Sequence, residues 1–189
     1  LVRAAVAANL GTLAITDHDS TAGWHEAFAA AAGTGLTVIP GMELSTNFGP
    51  ASVHILAFLF DPNNGEIVAE TARIREGRLR RAERIVERIA ADFDLTWDDV
   101  LAESSDGTTL GRPHIADALV RKGVVSNRTA AFESILHWRG GYYEKYYAPS
   151  PLEGVRSIVA AGGVPVLAHP ATHGKYRPME DKVIRQLAD

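Results

Sequence analysis

The stretch LAITDHDST, Leu13–Thr21, decides the fold and raises the first question about function. Its apolar residues predict a short buried strand that ends directly on Asp17, His18 and Asp19. Ionisable groups are costly to bury unless they are paired or used. In α/β folds with parallel strands, functional groups collect at the carboxyl ends of the strands. We therefore expect a functional site immediately beyond this strand.

Composition limits the class of protein. The chain has 189 residues, of which 46% are hydrophobic, enough for one substantial core or for one domain with an inserted piece. The net charge of −4 gives no reason to expect a protein that binds duplex nucleic acid or a membrane surface. The absence of cysteine excludes disulfides and thiolate metal sites, and it fits a cytoplasmic protein. The sequence does not indicate an oligomeric state.

Helices and strands alternate around the opening stretch. We predict helices at Leu1–Asn9 and Thr21–Ala32 and a second strand at Leu36–Pro40, a rhythm typical of a parallel sheet or barrel. Residues 43–60 predict a hairpin with its turn at Gly49–Pro50. That turn would pair His54 near Ser45 and place Glu43 on the same face, just past the second strand.

A helical region interrupts this rhythm, so we predict an α/β scaffold over residues 1–65 and 151–189 with a helical insertion over 66–150. Its long first helix, Ile67–Phe93, places Arg75 and Arg78 inside its apolar arc and Arg81 at the edge. The predicted apolar face comprises Ile67, Val68, Ile74, Leu79, Ile85, Val86, Ile89 and Phe93. The later elements are helices at Trp97–Glu103, Pro113–Lys122 and Arg128–Trp138, the tyrosine-rich loop GGYYEKYYAPS over 140–150, a helix from Ser150 to about Ala161, and the strand GGVPVLAHP ending on His169.

Four residues at strand ends and in the hairpin form a candidate metal-binding set: His18, Glu43, His54 and His169. Three neutral imidazoles and a carboxylate suit transition metals such as zinc, manganese or iron. A single histidine is more often structural, so the prediction rests on the four together. We interpret the helical histidines as structural and leave open His173, which follows the last strand. The two helical histidines are His25 and His137.

The motifs AITDHDST, PGMELS, VHILAF and VLAHP, in this order, resemble the metal-binding motifs of the PHP (polymerase and histidinol phosphatase) family. The insertion, with IREGRLRRA and GRPHIA, most resembles the branch that acts on nucleoside 3',5'-bisphosphates, 5'-nucleotides or the 5' ends of short oligoribonucleotides. The resemblance implies a section of a distorted (β/α)7 barrel with up to three divalent metal ions. Manganese is the first expectation, with zinc, iron or magnesium as alternatives.

The resemblance also implies roles for individual residues. His18 would bind one outlying metal, Glu43 would bridge the other two, and His54 and His169 would bind the metal paired through that carboxylate. Asp19, like the aspartate two positions earlier, would orient ligands or handle protons. The family's opening His-x-His and closing Asp-x-His motifs are not in this sequence. We therefore expect a section of a longer protein that by itself binds metal poorly and has little activity.

For the substrate, the resemblance points to Arg78, Arg81, Arg112 and His114 as a phosphate-binding surface of the insertion, acting as a substrate cap. It also points to Asp17 and His114 as catalytic groups, His114 as a proton donor to the leaving oxygen. Guanidinium groups suit phosphate because they stay charged and offer paired donors. The structural alternatives are salt bridges for the first two arginines, and helix capping for the last two residues. The candidate salt-bridge partners are Glu76, Glu83 and Glu87.

The resulting hypothesis is a metal-dependent phosphoesterase that hydrolyses a phosphomonoester of a small nucleotide with a metal-activated water. Two alternatives use the same scaffold, a histidinol-phosphate phosphatase and a nuclease. A third alternative, from a different class, is a module that senses a nucleotide or a metal without turnover.

Overall fold

The computed structural model describes residues 1–49, 51–104, 109–170 and 181–188. Helices and strands mix in a chain that divides into two compact units, Leu1–Ala72 with Ala148–Asp189, and Arg73–Tyr147. His173 lies outside the described residues. The elements are α1 (Val2–Ala7), β1 (Thr12–Ile15), α2 (Trp24–Ala31), β2 (Thr37–Phe48), β3 (Ala51–Phe58), α3 (Gly65–Ile89), α4 (Trp97–Leu101), α5 (Arg112–Arg121), α6 (Arg128–Glu133), α7 (Pro151–Ala160), β4 (Val164–Leu167) and α8 (Asp181–Ala188).

The first unit contains a four-stranded mixed sheet in the order β1-β2-β3-β4. Only β1 and β2 are parallel, whereas β3 pairs antiparallel with both β2 and β4. The expectation of a parallel sheet is therefore correct for the first pair alone. Because two antiparallel steps restore the direction, β4 runs the same way as β1 and β2. The ends of β1 and β4 consequently point to the same edge of the sheet.

The second strand differs from its prediction, since β2 continues for 12 residues where a strand and a separate hairpin arm were expected. It pairs with β1 through residues 37–40 and with β3 through residues 41–48. Pro40, which lacks an N–H donor, lies where the pairing partner changes. Next to it, a Cβ on Gly41 would lie 2.9 Å from the Phe58 ring and 3.0 Å from the Ile15 carbonyl oxygen. Glu43 therefore lies inside a strand, not beyond its end.

The predicted hairpin register is confirmed. Ser45 lies opposite His54, and Glu43 lies opposite Leu56. Gly49 in the turn has a φ of 60°, a conformation that glycine adopts without strain, while Pro50 lies outside the described residues. Side chains two residues apart on a strand share a face, so this register puts Glu43 and His54 on one side of the sheet.

Helix α7 confirms the helix predicted from Ser150, and it packs against the sheet of the first unit. Ser150 caps it, with its side chain accepting the Glu153 N–H, and Pro151 occupies its first position. A Cβ on Gly154 would lie 2.8 Å from the Thr46 methyl group, so the helix approaches β2 closely. Helices α1 and α2 share a small core with Ile15 of β1 and Leu36. Its buried members are Val2, Ala5, Ile15, Ala27, Ala31 and Leu36.

The second unit, Arg73–Tyr147, has a helical core. Two residues of the predicted apolar face of α3 are exposed, Val68 of the first unit by 46% and Leu79 of the second unit by 37%. Val86 lies at the same angle around the helix axis as Val68 but is buried, so the angle alone does not determine burial. Helix α6 is also shorter than predicted, since it ends at Glu133 instead of Trp138. The buried core includes Ala82, Ile85, Val86, Ile89, Leu95, Val100, Ile115, Ala116, Ala118, Leu119, Ala131, Ile135 and Leu136.

Within the described part of the chain, no helix combines the length and the apolar character needed to span a bilayer.

The change of pairing partner in β2 at Pro40 and Gly41 generates a prediction about stability. Gly41→Ala should lower the free energy of unfolding by about 1–3 kcal/mol, because the added methyl meets two backbone carbonyls and a ring. Gly11→Ala is the matched control, since nothing lies within 4 Å of its added Cβ. Urea unfolding followed by circular dichroism measures both. Equal unfolding midpoints for the two variants would contradict the close packing at Gly41.

Candidate functional site

The four predicted metal ligands come together in the first unit. His18 follows β1 and forms an isolated parallel bridge with Glu43 of β2. His54 belongs to β3, and His169 follows β4 by two residues. The common direction of β1 and β4 brings the first and last histidines to the same edge of the sheet. The hairpin register supplies the other two ligands.

The imidazole nitrogens surround the Glu43 carboxylate. His54 Nδ1 lies 3.0 Å and His169 Nε2 3.1 Å from Oε1, and His18 Nε2 lies 3.8 Å from Oε2. His54 Nδ1 and His169 Nε2 are also 3.1 Å apart. Ligating atoms of His18, Glu43 and His54 all fall within 4.8 Å of one another. This convergence of nitrogen and oxygen donors fits a divalent transition metal.

The Glu43 carboxylate is held in its charged form. The hydrogen bond with His54 is the main cause that lowers the pKa of Glu43 from 4.5 to about 2, and the charges of His18 and His54 add to it. Partial burial acts in the opposite direction. Glu43 is therefore an anion at neutral pH, as a metal-binding carboxylate must be.

The loop after β1 is fixed to β2 by a buried carboxylate. Asp19 is 0% exposed, and its two oxygens accept hydrogen bonds from the Ser45 N–H and hydroxyl, each at 2.7 Å. Its own N–H donates to the Glu43 carbonyl at 3.2 Å, and the Glu43 N–H donates to the Asp17 carbonyl at 3.1 Å. These bonds hold His18, which lies between the two aspartates, against Glu43.

Sequence reasoning predicted a supporting role for Asp19 but did not identify its partner Ser45. The predicted register placed Ser45 opposite His54 and so already put it beside the metal ligands, which was the available signal for this partner.

The structure positions Asp17 differently from Asp19. Its side chain is exposed and lines a pocket of about 520 Å³ with residues of α1 and α2. The catalytic role suggested for Asp17 stays a prediction.

The predicted phosphate-binding arginines form a cluster in the second unit, which we call the arginine cluster: Arg78, Arg81 and Arg112. Arg81 is only 8% exposed. Burial and, next, the charge of Arg112 lower the pKa of Arg81 from 12.5 to about 10. Within the described ranges, no carboxylate pairs with Arg81, and its buried Nε has no hydrogen-bond partner.

The other members of the predicted surface have structural roles as well. His114 Nδ1 accepts the Gly111 N–H at 3.2 Å and so caps α5, as the structural alternative predicts. Arg112 Nη1 donates to the Leu136 carbonyl at 3.4 Å. Arg75, which helical periodicity places inside the apolar arc of α3, is exposed. The substrate and catalytic roles of Arg112 and His114 stay predictions.

Comparison with known proteins gives a consistent group of relatives. The chain is 35% identical over 174 residues to a 3',5'-nucleoside bisphosphate phosphatase of Chromobacterium violaceum, an alignment that covers 91% of this chain. It is 32% identical over 189 residues to a 5'-3' exoribonuclease of Haemophilus influenzae, covering 99% of this chain. No model of a protein family matches the chain.

Two solved structures share the fold. One, from Bifidobacterium adolescentis and assigned as a metal-dependent phosphoesterase, superposes with a TM-score of 0.95 at 42% identity over 99% of this chain. The other, described as an amidohydrolase of Chromobacterium violaceum with bound sulfate and no metal, gives 0.90 at 32% identity over 99% of this chain. The chain spans 61% and 66% of the two curated relatives, and 66% of each structure.

The buried aspartate generates a prediction about metal binding. In the full-length protein, Asp19→Ala should weaken Mn²⁺ binding by roughly 10–100-fold, the range seen when groups that support metal ligands are lost. The physical reason is that the Ser45 N–H loses its acceptor, which frees the loop carrying His18. Isothermal titration measures the affinity, and Asp61→Ala, an exposed loop aspartate, is the control. Unchanged Mn²⁺ affinity in a folded Asp19→Ala variant would contradict the role.

Proposed function

We propose that this chain belongs to a metal-dependent phosphoesterase of the PHP type that hydrolyses a phosphomonoester of a small nucleotide. The observation that carries the proposal is the ionised Glu43 carboxylate with three imidazole nitrogens around it. Relatives named as a bisphosphate phosphatase and an exoribonuclease, and a structural neighbour assigned as a metal-dependent phosphoesterase, support it. The proposal includes the distorted (β/α)7 barrel and a cytoplasmic location.

The proposed metal ligands are His18, Glu43, His54 and His169, with manganese as the first choice among divalent ions. Such ions, when bound, supply positive charge to phosphoryl oxygens and activate a water for attack on phosphorus. The chain's own contribution is to keep Glu43 ionised and to hold the imidazoles around it. Asp19 keeps the loop that carries His18 in place through Ser45.

We further propose that the second unit binds the substrate through the arginine cluster. Among the described residues, Arg81 is a buried guanidinium without a carboxylate partner, and a bound anion would stabilise its charge. Phosphate suits this role because it accepts paired N–H donors. His114 is proposed as the proton donor to the leaving oxygen, with Asp17 as a further proton-handling group.

A second candidate is removal of nucleotides from the 5' end of short RNA, which the 32% identity to an exoribonuclease favours. Both candidates require recognition of a phosphorylated nucleotide, so the same arginines would serve. A non-catalytic sensor is less well supported, because the four ligands and the buried aspartate beside them are all present.

Phosphate release by the full-length protein in the presence of Mn²⁺ tests the function. We expect release from a nucleoside 3',5'-bisphosphate, a 5'-monophosphate or a short 5'-phosphorylated RNA, in preference to histidinol phosphate. Glu43→Gln should lower turnover by roughly 100-fold or more, because several kcal/mol of charge stabilisation depend on the metal. Metal binding without release from any of these compounds would support the sensor alternative instead.

The arginine cluster generates its own kinetic prediction. Arg78→Ala and Arg81→Met should each raise KM by roughly 10–100-fold, because a hydrogen bond to a charged group is lost. Methionine is chosen at position 81 because it fills a buried site without a charge. Arg80→Met is the matched control, since Arg80 is exposed and pairs with Glu76. A normal KM for the Arg78 and Arg81 variants would remove the cluster from the substrate site.

A further inference from the structure

The loop between residues 140 and 150 contains four tyrosines for which the proposed reaction gives no role. The outer two have structural partners within their own unit. The Tyr142 hydroxyl donates to Asp92 Oδ2 at 2.6 Å, and the guanidinium carbon of Arg73 lies 3.5 Å from the Tyr147 ring centre. The inner two, Tyr143 and Tyr146, face the arginine cluster instead.

The inner rings meet the most buried arginine of the cluster. The Arg81 guanidinium carbon lies 5.2 Å from the ring centre of Tyr143 and 5.0 Å from that of Tyr146. Tyr146 is also 5.2 Å from Arg78, and Tyr143 is 5.8 Å from Arg112. All four distances fall within the range of about 6 Å over which a cation is attracted to an aromatic ring. The two tyrosines therefore connect the three arginines.

The two tyrosine rings lie beside a guanidinium, that of Arg81, whose positive charge is disfavoured by its surroundings. Its charge is buried beside Arg112 and Arg78, and both effects disfavour the charged form. A carboxylate partner would stabilise the charged form of Arg81, but it would also neutralise that charge and occupy the guanidinium N–H groups. An aromatic ring attracts the cation through its electron-rich face and accepts no conventional hydrogen bond from the guanidinium edge.

We propose that Tyr143 and Tyr146 are positioning residues that hold the Arg81 guanidinium through their ring faces, so that its charge and its N–H donors serve a phosphate group of the ligand. The inference rests on the proposed phosphate-binding role of the arginine cluster and adds the elements that orient it. It assigns a function to a loop that the sequence marks only by its tyrosines. The ring, not the hydroxyl, is the part that acts.

Inorganic phosphate binding to the metal-free protein tests the inference without any need for turnover. Tyr143→Leu and Tyr146→Leu should each weaken phosphate binding by roughly 3–30-fold, the affinity equivalent of one cation–ring interaction. Tyr143→Phe and Tyr146→Phe should bind phosphate as the wild type does, because they keep the ring. Tyr147→Leu is the matched control, since it removes a tyrosine of the same loop that stacks on Arg73, outside the cluster.

A series of ring substitutions separates electrostatics from packing and protects the test against a leucine variant that does not fold. Phenylalanine analogues with one, two or three ring fluorines, introduced at position 143 or 146, keep the shape and reduce the electron density of the ring face. We expect phosphate affinity to fall stepwise with fluorine number. A flat series, or phenylalanine variants as weak as the leucine variants, would overturn the proposal.

Arg81→Met distinguishes failure of this inference from failure of the proposed function. Weak phosphate binding by Arg81→Met, together with wild-type affinity in the leucine and fluorinated variants, would leave the phosphate site intact and refute only the role of the tyrosines. Phosphate affinity that does not change in Arg81→Met would refute both the role of the arginine cluster and the positioning role that depends on it.

Discussion

The structure of the first unit depends on one constraint: the Glu43 carboxylate has to stay ionised inside a strand that changes its partner. Strand β2 pairs with β1 up to Pro40 and with β3 from Gly41 onward, so it receives ligands from both neighbours. His54 comes across the antiparallel ladder, and His18 comes from the parallel side. A strand paired with the same single neighbour along its whole length would receive ligands from that side only.

The sequence predicted the parts of this arrangement that depend on local signals. A glycine-proline turn and strand alternation were enough to place His54 opposite Ser45. The continuity of β2 was not predictable in the same way, because Pro40 and Gly41 normally interrupt strands. They are tolerated here since Pro40 lies at the change of partner and Gly41 lies against the Phe58 ring and the Ile15 carbonyl. These contacts join residues that are distant in sequence, so no local sequence pattern predicts them.

The long helix α3 shows that local sequence patterns are also limited in predicting which charged residues are buried. Helical periodicity placed Arg75 and Arg78 inside the apolar arc and Arg81 at its edge, yet Arg81 is buried, Arg78 is half-buried and Arg75 is exposed, as is Leu79 of the predicted apolar face. Periodicity gives an angle around the helix axis, whereas burial depends on how wide a face the neighbouring elements cover. The partners of the arginines came from a loop more than fifty residues away, whose tyrosines carry no signal for the cluster they contact.

The two units accommodate charge in opposite ways, and the difference bears on specificity. In the first unit, an anion is stabilised by imidazoles that also suit a metal ion, a donor set compatible with any phosphoester. In the second, Arg81 is stabilised by aromatic faces that leave its charge intact. Relatives named as a bisphosphate phosphatase and as an exoribonuclease align with most of this chain at similar sequence identity, 35% and 32%. Under the proposed function, the metal-binding residues would perform the hydrolysis common to these relatives, and the choice among phosphorylated nucleotides would fall to the proposed phosphate-binding groups, the arginine cluster and its two tyrosines.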